Sequence, residues 1–135
     1  MSRIRDRLGD ERGLLLRSAI TLLIVLVVGG VAVADAGSVI VAKFKVANAA
    51  QAASEDAAFS YKTNHDKDAA YQAALADIGT VGGDAQITAF DVNTQTGQVT
   101  VTVSRDVTTI AVKYVGFLKG FEKAEATNTA EPPTE

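Results

Sequence analysis

The chain predicts an α+β protein: a long N-terminal transmembrane helix extending into a small extracytoplasmic domain with a β-hairpin, a third strand and short helices. Three observations predict it. Residues 18–42 read SAITLLIVLVVGGVAVADAGSVIVA, with Asp35 as the only charge. Residues 43–60 continue with helix formers and contain neither Gly nor Pro. Beyond residue 84 the hydrophobic period falls from helical to two, most cleanly in Gln98–Ser104, QVTVTVS.

Residues 1–17 form a basic N-terminal segment, with Arg3, Arg5, Arg7, Arg12 and Arg17 set against Asp6, Asp10 and Glu11. This flank is net +2, and the chain from Asp35 onward is net -5. The positive-inside rule therefore predicts a cytoplasmic N-terminus, a transmembrane helix at 18–42 and an outer C-terminal domain. About twenty apolar residues cross the hydrocarbon core, and the run is long enough with some tilt. A rival reading stays open. Ala32-Val33-Ala34 before Asp35 fits a signal-peptidase site, and cleavage after Ala34 would release a secreted or surface binding module. Against it, the apolar helical pattern continues past the site through Val39, Ile40, Val41 and Phe44.

In the extension at 43–60, Val46, Ala49, Ala50, Ala53 and Ala57 recur at helical spacing, so one helix is expected from about Leu14 to Ala58. The outer domain spans 61–130. Polar residues 61–67 break the pattern. A second helix follows at 68–79, capped by Asp66 or Asn64 and closed by Gly79, with Ala70, Tyr71, Ala74, Leu75 and Ile78 as its apolar stripe. Ala85–Val92 and Gln98–Ser104 are strands joined by the hairpin loop Asn93–Gly97. Val99, Val101 and Val103 face one side of the sheet, which needs a cover. A short helix over Val107–Leu118 is the expected cover, and a third strand is expected within Phe121–Ala130. Residues 131–135 form a polar tail.

The chain offers little chemistry. With no cysteine and one histidine, His65, a transition-metal site has no ligand set. Asp66 and Asp68 lack the glycine and closing glutamate of an EF-hand. Asp56, Asp66 and Asp77 raise the question of paired carboxylates, but acids on a surface helix usually solubilise it, and nothing marks a cleft around them. The serines have no nucleophile-elbow context, and Gly82-Gly83 precedes a strand rather than a helix. No enzyme and no cofactor are expected, and a net charge of -3 argues against nucleic acid. Asp35 is either an interfacial residue reaching water or a partner for another chain's cation. Gly30, Ala34, Ser38 and Ala42 recur every fourth residue, a small-residue stripe that lets helices approach closely.

Residues 29–58, GGVAVADAGSVIVAKFKVANAAQAASEDAA, resemble the N-terminal region of TadE/TadG-like pilus-assembly proteins. Glu11-Arg12-Gly13 is similar to the family's turn, Asp35-Ala36-Gly37 to its acidic-glycine step, and Lys43 and Lys45 to its basic stretch. Asn48-Ala49-Ala50-Gln51-Ala52-Ala53 resembles its alanine-rich segment, with Gln51 in place of an acid. The resemblance implies a pseudopilin-like structural or assembly component of a Tad/Flp-type pilus or secretion apparatus. Its implied partners are membrane lipid, other membrane proteins of that machinery, and further copies of itself through the long helix. It also implies Gly13 as a processing position. The glutamate found five residues after the cleaved glycine in processed members is Ser18 here, so TadG-like members without it fit better.

Overall fold

The computed structural model describes residues 3–110, 120 and 122–134, with side chains from Leu16 onward. The chain divides into two compact units, Met1–Ala34 and Asp35–Glu135. One helix, α1 (Arg3–Asn64), runs through the boundary, and it is the one helix among the described residues long and apolar enough to cross a membrane.

The first unit is helical from Arg3, about three turns earlier than the apolar pattern predicts. Residues 3–13 are mostly helix formers, so charge alone does not stop the helix. Its large aliphatic side chains, Leu16 and Ile20 through Val28, are 50–64 % exposed. Consecutive exposure from Leu22 to Val28 goes around the whole helix circumference.

The second unit contains the hydrophobic core. Along α1 the buried positions are Asp35, Val39, Ala42, Val46, Ala49, Ala50, Ala53, Ser54, Ala57, Ala58 and Tyr61, a stripe of helical period. The helix continues through the polar stretch to Asn64 because Tyr61 joins this core. It ends at His65, which adopts a positive φ of 54° and donates its N–H to the Tyr61 carbonyl at 2.8 Å. This is the left-handed closure usually given to glycine.

Asp66 then caps α2 (Lys67–Asp77), its carboxylate accepting from the Asp68 N–H at 2.8 Å. Gly79 does not close this helix. The chain widens into a π-helical turn, Ile78–Gly82, and the left-handed residue is Gly83, at φ 64°. The buried Ile78 side chain stays in the core across this transition.

Three antiparallel strands follow in the order β1 (Gln86–Val92), β2 (Val99–Asp106) and β3 (Lys123–Ala130). Register shifts between Ile87 and Ala89, leaving Thr88 as a bulge. Val99, Val101 and Val103 are fully buried, while Thr100 and Thr102 bond across to Thr129 and Thr127 at 2.8 Å on the opposite face. In the hairpin loop, Asn93 accepts from the Gln95 and Thr96 amides, and Gly97 supplies a φ of 76°.

The expected cover at 107–118 is not the one described. Val107–Ile110 have no helical backbone, as four successive β-branched residues disfavour it, and 111–119 lie outside the described residues. Instead α1 and α2 share one core cluster with the sheet. Small alanines on both helices allow backbone and sheet to approach closely, and Tyr71 meets Phe90 edge-on at 5.1 Å. The tail is held as well: Lys62 donates to the Pro133 carbonyl at 2.6 Å, and Gln98 to Glu131 at 3.1 Å.

Candidate functional site

The residues singled out in the sequence divide at the unit boundary. Gly30 and Ala34 in the first unit are exposed. In the second unit Ser38 is half-buried and turns its hydroxyl back to the Asp35 carbonyl at 2.8 Å. Ala42 is buried in the chain's own core, so it presents no surface to another helix. Of the stripe, only Gly30 and Ala34 keep an open face. Gly13 lies within α1.

Asp35 is buried, and its Oδ1 accepts from the Ile110 N–H at 2.7 Å. The carboxylate therefore ties the base of the second unit's helix to the segment following β2. Nothing in local sequence shows this partner, because it lies 75 residues away.

Beside this tie is a cavity of about 310 Å³, between α1 and the end of β2. Gly37, Val41 and Lys45 line it from one face of the helix, and Arg105, Asp106 and Thr108 from the other side. Arg105 Nε is paired with Asp84 at 2.7 Å, which orients the guanidinium. Val41, on the cavity wall, is 54 % exposed, and Ile40 and Phe44 on the same helix and Ile110 are exposed as well.

No family model, curated protein or solved structure matches the chain.

The site is therefore read from its own geometry. Its wall carries Lys45, Arg105 and Asp106, and with Asp84 paired to Arg105 the charges around it balance. His65 is exposed and stacks on Tyr61 with ring centroids 6.0 Å apart. Among the described residues no group of three or more His, Cys, Asp or Glu side chains gathers to hold a metal. Asp56 and Asp77, from α1 and α2, do come together. Burial, and then the neighbouring Asp56 through a hydrogen bond and like-charge repulsion, push the Asp77 carboxyl above its usual range. Sequence reading also missed the pair in which the half-buried Asn128 donates to the hydroxyl of the buried Ser54 at 2.7 Å. Asn128 falls on the inward parity of β3 with Ala124, Ala126 and Ala130, and a polar residue in that phase is the signal that could have found it.

Proposed function

We propose that this chain is a single-pass membrane protein with a cytoplasmic N-terminus and an outer α+β domain. Its role is structural, as a pseudopilin-like or assembly component of a Tad/Flp-type pilus or secretion apparatus of the TadE/TadG-like kind. The observation that carries the anchor is the exposure, on every side of the helix, of the large aliphatic side chains from Leu22 to Val28. Exposed hydrocarbon of that extent is costly in water, at roughly 25 cal/mol per Å², and is neutral in lipid. The assembly role is supported by the resemblance of residues 29–58 and by the open small residues Gly30 and Ala34 within the apolar run. Its partners would be lipid, machinery membrane proteins and further copies of the chain.

A second reading has its own support. The boundary between the two compact units falls at Ala34/Asp35, the bond a signal peptidase would cut. A product starting at Asp35 would keep every buried core residue among the described residues, and the Asp35–Ile110 bond.

N-terminal sequencing of protein recovered from membranes and from medium separates the readings. A start at Met1 or Ser2, confined to membranes, is the expected result. A start at Leu14 would move the chain to a processed filament subunit. A start at Asp35 in the medium would replace the anchor with a released module. For the assembly role, Gly30→Leu and Ala34→Leu should each lower in-membrane crosslinking between helices, and unchanged crosslinking in both would remove the packing argument.

A further inference from the structure

We propose that the folded outer domain closes the Ala34–Asp35 peptide bond to a signal-peptidase-type endopeptidase, with the Asp35–Ile110 hydrogen bond as the latch. The inference rests on the membrane-anchor reading and names what regulates its alternative, release after Ala34. Ala32-Val33-Ala34 presents the small residues that such an enzyme takes. The step is hydrolysis: water adds across the amide, leaving a carboxylate on Ala34 and an α-amine on Asp35. An endopeptidase takes its substrate as an extended strand, through main-chain N–H and C=O groups on either side of the bond. Here those groups lie inside α1, where they bond to one another four residues apart. Cleavage therefore needs local unwinding. That unwinding pulls Asp35 and Val39, the next core residue on its helix face, out of the second unit.

Two observations make the latch the deciding contact. The first is the weakness of the helix around the bond. Gly37 lies two residues beyond Asp35, and Gly30 and Gly29 lie five and six residues before it. A Cβ added at any of the three meets no atom within 4 Å, so among the described residues no packing requires glycine there. The glycines do lower helix stability on both sides of the bond. The second observation is the fixed placement of the donor. Val107 and Thr109 are buried, and the Val107 N–H bonds to the Glu122 carbonyl at 2.7 Å. These contacts hold the segment from which the Ile110 N–H reaches Asp35 Oδ1 at 2.7 Å. A stretch of helix with low intrinsic stability is thus pinned at the first residue past the bond. The pin comes from 75 residues away, so it forms only once the outer domain has folded.

The test mixes the full-length chain, purified in detergent, with purified signal peptidase and follows by mass spectrometry how fast the product starting at Asp35 appears. The wild-type chain should resist. Ile110→Pro removes the donating N–H and leaves residues 32–35 untouched. It should speed cleavage by about tenfold or more, because cleavage follows the open population and a hydrogen bond to a carboxylate lowers that population by such a factor. Asp35→Ala removes the acceptor and should act alike, whereas Asp35→Asn keeps an acceptor oxygen and should stay near the wild-type rate. Val101→Asp places a charge in the core, opens the domain and sets the rate of the unprotected bond. Four results would each overturn the proposal: wild type cut at the Val101→Asp rate, Ile110→Pro and Asp35→Ala cut no faster than wild type, Asp35→Asn cut as fast as Asp35→Ala, or no cleavage even of Val101→Asp. Carbonate extraction of cell membranes keeps the two readings apart. If the latch fails but cells retain the uncleaved chain in carbonate-resistant membranes, the anchor stands. A wild-type chain that cells release into the medium from Asp35 ends both.

Discussion

Asp77 is where a single side chain couples stability of the outer unit to pH. Its carboxyl is raised, first by burial and then by Asp56, and its Oδ2 is buried with no hydrogen-bond partner among the described residues. A raised carboxyl means that the folded chain binds its proton more tightly than the unfolded chain. The stabilising contribution is complete below the ordinary carboxylate range and is lost as pH rises through the folded value. Asp77→Asn should therefore raise the thermal midpoint at about pH 7 and lose that advantage near about pH 3, where wild-type Asp77 is protonated in both states. Circular dichroism melts of the full chain in detergent at the two pH values check this, and equal shifts at both would mean that the Asp56–Asp77 pair is not the cause. The sequence raised a pairing of these acids and set it aside as solubilising, because they sit 21 positions apart on different helices and only the tertiary fold brings them together. The same distance effect hid the Ile110 amide from any reading of Asp35, whereas the burial of Val99, Val101 and Val103 was legible from alternation alone.

Among the elements, those whose signal is local were readable. The hairpin follows from two period-two runs around Asn93–Gly97, and the Asp66 cap from its place before an apolar stripe. Element ends depended on tertiary burial and were not: Tyr61 prolongs α1, and Ile78 carries α2 into a π-helical turn beyond the glycine expected to stop it. The cover of the sheet was sought in a later helix, although the alanine periodicity of 46–57 was already the sheet-facing stripe. That stripe fixes how near α1 lies to β2, and it yields a paired prediction. Ala50 is fully buried and Ala47 is exposed on the same helix. Ala50→Leu should cost about 1–3 kcal/mol by overpacking, while Ala47→Leu should change stability by less than about 0.5 kcal/mol. Amide exchange at Val99–Val103 reports both, since these strand positions lie in the same core cluster. Equal protection in the two variants would show that the helix does not press on the sheet through alanine.

At the scale of the whole chain, the two units answer to different solvents. Among the described residues the buried ones all belong to 35–135, and the aliphatic side chains of 20–28 are at least half exposed. A polar substitution in the first unit should then change where the protein resides without changing how the second unit folds. Val25 is the appropriate position: it is 61 % exposed and lies near the middle of the apolar run from Ser18 to Ala34. Lysine there costs about 2.5–3.5 kcal/mol of insertion free energy on a biological scale, enough to lower the inserted fraction strongly. In Val25→Lys the carbonate-resistant fraction should fall severalfold, while amide protection at Val99, Val101 and Val103 remains at wild-type levels. Unchanged membrane retention would mean that the apolar helix is not what holds the chain in the bilayer. Loss of strand protection together with retention would mean that the outer unit needs the membrane in order to fold. The predicted pattern, lost retention with intact strands, follows because the core cluster of the sheet, among the described residues, is drawn from the second unit itself.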